Sequence, residues 1–254
     1  MAPKLSILTV TYQAERTLPI TLRSSAAQTW KDWEHVLVDG ASRDGTVALI
    51  REYAQKMGRV RWISEPDQGL YDAMNKALQL AEGEFVLFLN AGDAFWAPDT
   101  LEKVFTHAPP EADVLYGDHR YVDKQGKLLP RRRHRPYPKP PLRAAHFQTG
   151  MVICHQALIV RREKAPLFDL RYRLAADLDW TIRLLAAQPH THDTQRVLIR
   201  YLAGGLSAQK LPHYLQERTR ILYKHFGWRG VSATLWAMLT SQLRGGYAFL
   251  PCET

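Results

Sequence analysis

Carboxylates and carboxamides recur in this sequence where apolar runs stop. Leu5–Thr11 leads into Tyr12, residues 35–39 into Asp39-Gly40-Ala41-Ser42, Val60–Ser64 into Glu65-Pro66-Asp67, and residues 85–89 into Asn90-Ala91-Gly92-Asp93. In an open parallel sheet ligands bind outside the carboxyl ends of the strands, so these residues would face one ligand together. Oxygen donors of this kind suit hard divalent cations that keep positions open for substrate phosphates. Read alone, Asp93 serves equally well as a turn or as a cap for a helix near Pro98.

Two further polar pairs lie in the second half. Residues 152–160 look strand-like, and His155-Gln156 closes the expected strand after Gly150-Met151-Val152-Ile153-Cys154, where the histidine either faces a site or is a buried ring satisfied by the backbone. Asp177 stands at the start of an expected helix over 178–187, as a cap or as an exposed acid at the rim of a cleft. Asp179, two residues on, points elsewhere on that helix and is expected to pack or cap. His190-Thr191-His192-Asp193 has metal-binding residue types, but it reads as a surface turn after the helix.

The elements that must hold these residues follow from periodicity. Short β-branched runs alternate with helical periods over 18–28, 46–56 and 71–81, with Asp44 placed to cap the second helix and Gly83 to end the third. That alternation predicts a mostly parallel sheet with covering helices. A further strand is expected at 113–116, and residues 211–249 read as two helices broken near Gly227 to Gly230. The first turn, Tyr12-Gln13-Ala14-Glu15-Arg16, has no glycine, so neither a dinucleotide-binding fingerprint nor a P-loop is present.

Apolar residues make up 46% of the 254 residues and charged residues 23%, which predicts one globular core. The formal charge of +9 implies attraction to anions, and part of it sits in Arg131-Arg132-Arg133-His134-Arg135 before a proline-rich loop. Cys154 and Cys252 have neither zinc nor disulfide spacing, nothing at Met1-Ala2-Pro3-Lys4 resembles a signal peptide, and no apolar stretch is long enough to span a bilayer. A cytoplasmic protein is the expectation.

Several motifs in order resemble family 2 glycosyltransferases: Ser6–Tyr12, Val38-Asp39-Gly40-Ala41-Ser42-Arg43-Asp44-Gly45-Thr46, Glu65-Pro66-Asp67-Gln68-Gly69-Leu70-Tyr71-Asp72-Ala73-Met74-Asn75-Lys76 and Phe88-Leu89-Asn90-Ala91-Gly92-Asp93. Within the family the chain is most similar to bacterial exopolysaccharide and colanic-acid-type enzymes. The likeness covers residues 4–207 and implies a GT-A fold, a Rossmann-like α/β sheet flanked by helices. Residues 1–117 would bind the nucleotide sugar, 118–207 would hold the acceptor and base, and 208–254 would form a helical tail. The resemblance implies that Thr11, Tyr12 and Glu15 face the nucleotide and that Asp39 hydrogen-bonds the base. It implies that Asp67, Gly69, Asp72 and Asn75 pass beneath the diphosphate and sugar, and that His155 and Gln156 lie near the acceptor. Asn90–Asp93 takes the place of the D-x-D motif, with Asp93 as the ligand of manganese or magnesium, although asparagine and glycine replace acids found in many members. Asp177 matches the aspartate that takes the proton of the acceptor hydroxyl.

The expected reaction is therefore an inverting transfer from a UDP-sugar, ahead of a GDP-sugar, to a glycan or lipid-linked acceptor in surface polysaccharide synthesis. A basic nucleic-acid-binding protein and a nucleotidyltransferase are the competing readings. The first lacks interleaved stacking aromatics, and the second would ordinarily show a glycine-rich basic first loop. Residues 131–135 and an apolar stripe of Leu235, Trp236, Leu239 and Leu243 are expected either to bring the enzyme to an anionic inner leaflet or to be solvated and packed.

Overall fold

The computed structural model of the chain describes residues 2–130, 137–205 and 209–243. Its elements run β1 (Leu5–Thr11), α1 (Leu18–Ala26), β2 (Trp33–Asp39), α2 (Thr46–Met57), β3 (Val60–Ser64), α3 (Leu70–Leu80), β4 (Phe85–Phe88), β5 (Ala94–Phe95) and α4 (Thr100–Phe105). They continue through β6 (Val114–Val122), β7 (Leu158–Arg161), α5 (Ala176–Ala186), β8 (Thr191–Leu202) and α6 (Leu211–Leu243). The strands form one sheet in the order β3-β2-β1-β4-β7-β6-β8-β5. β3, β2, β1 and β4 are parallel, and β7 runs antiparallel between β4 and β6. This is the expected α/β sheet flanked by helices.

Every residue of β1, β2 and β4 is buried, as strands covered on both faces must be. The polar residues among them are paired. Ser6 Oγ donates to Glu34 at 2.6 Å and accepts from Gly83 N at 2.8 Å, while Glu82 N donates to the same Glu34 oxygen at 2.7 Å. Gly83 lies beyond α3, whose C-cap is Ala81, so it does not end the helix. It is glycine because the chain passes directly over β1: a Cβ there would sit 2.5 Å from Ser6 N and 2.7 Å from Leu5 C.

Local chemistry shifts several expected boundaries. α2 is capped by Gly45, with Asp44 one residue earlier accepting from Thr46 N at 3.1 Å. The strand expected over 152–160 is reduced to β7, because His155–Ala157 turn as a short 3-10 helix before it. Upstream, Gly150 has a φ of 103° with Arg218 pressed against it. α5 begins at Ala176 with Ala175 as its cap, so Asp177 lies inside the first turn. His190-Thr191-His192-Asp193 is no turn: Thr191, His192 and Asp193 open β8 in register with Val114, Leu115 and Tyr116. Its polarity suits a strand whose other neighbour, β5, reaches only Ile199 and Arg200 and leaves the first half of β8 at an open edge.

α6 is broken at Gly227, where φ is 61°, as the tail sequence suggested. No helix among the described residues is long and apolar enough to cross a membrane. Arg131–Arg135 and the side chains of Leu235, Trp236, Leu239 and Leu243 lie outside the described residues.

Substituting Gly83→Ala should drive a methyl into the β1 backbone and cost about 2 kcal/mol, which for a chain of this size lowers the melting temperature by about 5 °C. Thermal denaturation followed by circular dichroism measures it, and an unchanged midpoint would contradict the close approach.

Candidate active site

Parallel register sets Thr11, Asp39 and Ser64 side by side at the ends of β1, β2 and β3. Thr11 Oγ1 and Ser42 Oγ donate to Asp39 Oδ1 at 2.9 and 2.6 Å, and Ser42 N and Ser64 Oγ donate to Oδ2, both at 2.8 Å. The carboxylate is fully buried, so it ties the strand ends and the following loop together and does not stand open toward a base. Gly40 continues the ladder through its N–H to Thr11 O at 2.9 Å, and a side chain there would strike the Asp67 carboxylate. Tyr12, beside Gly40, is 68% exposed and presents its ring to solvent. Glu15 and Asp44 hold the neighbouring loops reciprocally: Gly45 N donates to Glu15 at 3.0 Å and Glu15 N to Asp44 at 3.1 Å.

The segment ahead of α3 is folded by its own acids. Gly69 N donates to Asp67 at 2.8 Å and Gln68 N to Asp72 at 3.0 Å, and Gly69 itself has a φ of 118° that a side chain would strain. Asn75 faces the other way. Its amide grips the backbone of Phe168, donating to the carbonyl at 3.0 Å and accepting from the N–H at 2.7 Å. It therefore docks the 165–170 loop onto α3.

Asp93 is enclosed as well. Oδ1 accepts from Leu202 N at 2.7 Å and Oδ2 from Gln156 Nε2 at 2.6 Å, while Gln156 Oε1 accepts from Asn90 N at 2.6 Å. Burial raises the Asp93 carboxyl to about 7, opposed by these hydrogen bonds. A carboxylate 5% exposed with each oxygen already bonded to the protein does not fit the open cation ligand expected at this position. Among the described residues no group of three or more histidine, cysteine, aspartate or glutamate side chains could hold a metal ion. The asparagine side chain behaves differently: Asn90 Oδ1 is buried without a partner at the mouth of β4.

His155 and Asp177 meet. Nδ1 lies 3.3 Å from Asp177 Oδ2, an ion-pair separation, and the ring is buried. Burial works against the charged ring, but Asp177 and Cys154 outweigh it and lift His155 to about 10. Asp177 Oδ1 accepts from Leu178 N at 2.9 Å and from the Tyr71 hydroxyl at 3.3 Å. Its side chain keeps 20% exposure, which His155 does not. Phe88, Phe168 and Trp180 form the floor, with Phe168 stacked on Trp180 at 5.3 Å and Phe88 edge-on to His155 at 6.2 Å. Asp179 points away, buried against Arg183, Lys224 and His225 at 2.7, 2.8 and 2.8 Å.

Sequence reasoning missed Tyr71, Tyr201 and Glu217. Tyr71 lies within a motif that carries the resemblance, yet its bond to Asp177 spans 106 positions. Tyr201 is the last residue but one of β8, and burial with Cys154, Asp93 and Asp177 nearby pushes its phenol well above the usual range. Glu217 accepts from three consecutive backbone N–H groups ahead of α5. Nothing in the sequence marks that glutamate.

Asp177 thus stands partly exposed in the first turn of α5, backed by His155. The family described as Glycosyl transferase family 2 matches residues 6–165, and the chain belongs to it. It is therefore a glycosyltransferase. A PGL/p-HBAD biosynthesis glycosyltransferase of Mycobacterium bovis is 37% identical over 199 residues, covering 72% of this chain and 70% of that protein. The fold matches Staphylococcus aureus TarS 1-349 in complex with UDP (TM-score 0.69, 21% identity), covering 87% of this chain and 65% of that one. It also matches a Pyrobaculum calidifontis mannosyltransferase in complex with GDP-Man and Mn2+ (TM-score 0.64, 18% identity), covering 97% and 77% of the two chains.

Because His155 titrates higher folded than unfolded, its stabilisation is fully present below its ordinary value of 6.5 and is lost as pH climbs toward about 10. The melting temperature should fall more steeply across that window in the wild type than in His155→Gln, as fluorimetry at several pH values will show. Parallel slopes would remove the pairing. Asp93→Asn leaves one buried donor without an acceptor and should cost about 1–3 kcal/mol. Any gain in UDP or GDP affinity on adding manganese should be unaltered, and calorimetry in which Asp93→Asn abolishes that gain would restore Asp93 as a ligand.

Proposed function

We propose that the protein moves a sugar from a nucleotide-diphosphate donor to an acceptor hydroxyl with inversion, Asp177 serving as general base. The observation that carries this reading is the setting of Asp177: partly exposed in the first turn of α5, braced by Tyr71 and Leu178 N on one oxygen and by His155 on the other. One in-line attack on the anomeric carbon inverts it, and the base takes the hydroxyl proton as the new bond forms. The partners of Asp177 fix its orientation in advance, so little reorganisation is needed at the moment of transfer.

The donor is placed at the ends of β1 to β4, over Tyr12, Gly40, Asp67 and Gly69. The UDP-bound TarS and GDP-Man-bound mannosyltransferase support a nucleotide sugar as donor. UDP-sugars come ahead of GDP-sugars in this proposal. The acceptor is a glycan or lipid-linked glycan of surface polysaccharide assembly, an assignment the naming of the mycobacterial relative for PGL/p-HBAD biosynthesis favours in part. No step is routed through a divalent cation, because Asp93 is enclosed.

A lipid-linked acceptor requires a visit to the membrane surface, and residues 131–135 with 231–254 are proposed to bring the enzyme to the anionic inner leaflet. Co-sedimentation with phosphatidylglycerol vesicles should rise with anionic lipid, fall with salt and fall again on removing residues 231–254. Equal recovery in the supernatant throughout would end that part of the proposal.

Incubation with a panel of UDP- and GDP-sugars should release the nucleoside diphosphate from one of them. Asp177→Asn should lower that turnover by about 10²-fold or more while nucleotide affinity stays within about twofold, since the side chain takes a proton and does not hold the nucleotide. Near-wild-type turnover in the variant would remove Asp177 as the base.

A further inference from the structure

The first half of α6 reaches into the catalytic half of the molecule through adjacent residues. Glu217 accepts from Arg173 N at 2.8 Å, Leu174 N at 2.8 Å and Ala175 N at 3.0 Å. These three donors close the loop that becomes α5, and Asp177 follows two residues after the last of them. The next residue, Arg218, is 1% exposed and donates to Thr149 O, with its guanidinium pressed on Gly150. That contact braces the segment leading to His155. Two turns further along, Lys224 and His225 hold Asp179 of α5, both at 2.8 Å.

A carboxylate that collects three consecutive N–H donors is a strong anchor, because charge-assisted bonds exceed neutral ones and the glutamate has no freedom left to follow another partner. α5 has no side-chain cap of its own, since Ala175 occupies the cap position. Without Glu217 the backbone donors of residues 173–175 would turn to water, and the first turn of α5 would lose its entry angle. The two sides of the His155–Asp177 pair come from segments that share no ladder or helix. Both are held by one face of α6.

We propose that Glu217 is a positioning residue for Asp177: through the 173–175 backbone it sets the separation between Asp177 and His155, and so the readiness of the base. The proposal rests on the reading of Asp177 given above. It makes residues 211–226 part of the catalytic unit.

The test compares full-length wild type, Glu217→Gln, Asp177→Asn, the double variant and Lys224→Ala. Lys224→Ala loosens the same helix contact through Asp179 and leaves the 173–175 donors untouched. The first readout is the ¹⁵N NMR titration of His155. Its midpoint should fall by about one pH unit in Glu217→Gln, and further loss of the pair is expected in Asp177→Asn. The double variant should titrate like Asp177→Asn alone, and Lys224→Ala like the wild type. The second readout is nucleoside diphosphate release across the UDP- and GDP-sugar panel, where Glu217→Gln should lose about tenfold in turnover with UDP and GDP affinity within about twofold. Effects on turnover of the two single variants should not add, as for residues acting through one another. Should Glu217→Gln fail to fold, Glu217→Asp, which keeps the charge and shortens the reach, takes its place. A His155 midpoint unmoved by the substitution, or moved equally by Lys224→Ala, overturns the proposal. Full turnover in Asp177→Asn would instead reject the base assignment, while the His155 titration still decides the role of Glu217.

Discussion

A buried carboxylate is costly unless donors surround it, and Asp39 shows what that cost secures. Its four hydrogen bonds come from the ends of β1 and β3, the strands on either side of its own, and from Ser42 in the loop between β2 and α2. With no oxygen left for solvent, the aspartate sets β1, β2 and β3 to stop at one level. The mouth of the sheet then exists as a surface on which Tyr12, Gly40 and Asp67 can meet a ligand. A shift of one residue in the register of any of these strands would break the cluster and turn the apolar residues of that strand to its opposite face.

The acids of this protein divide by what surrounds them. Asp39, Asp93 and Asp179 are enclosed and hold other elements: strand ends, the Gln156 turn with the end of β8, and α6. Asp177 is the exception, partly exposed and flanked by a histidine whose titration Asp177 and Cys154 raise against its burial. A pair of oppositely charged groups at 3.3 Å in a mostly apolar setting resists separation, so Asp177 is presented to the cleft in one orientation. Phe88 lies edge-on to His155 and packs in turn on the stacked Phe168 and Trp180.

Asn75 and Glu217 use one device at two scales. Each spends its polar atoms on the backbone of a distant loop, Asn75 on Phe168 and Glu217 on residues 173–175. Between them they fasten both ends of the loop before α5, one to α3 and one to α6. The irregular stretch that leads into α5 is thereby held at both ends.

Much of this architecture was legible in the order of residues. Short β-branched runs and period-3.6 patterns placed β1, β3 and α1 to α3 to within two residues, because sheet strands and amphipathic helices leave strong local signatures. The polar strand ends and Asp177 stood out in the sequence for the same local reason, a break from apolar to acidic at a boundary. What the sequence could not show is which acids face a ligand and which are buried. Asp39 and Asp93 read as open site residues, and it is their partners Ser64 and Leu202, from strands distant in the chain, that close them. β8 was hidden because its polar first half is an edge, and Glu217 is one unremarkable acid on a helix until tertiary packing brings three backbone donors to it. Local propensity is written in neighbouring residues. Whether a carboxylate anchors backbone or stands ready to take a proton is decided by which donors the fold carries to it from far along the chain.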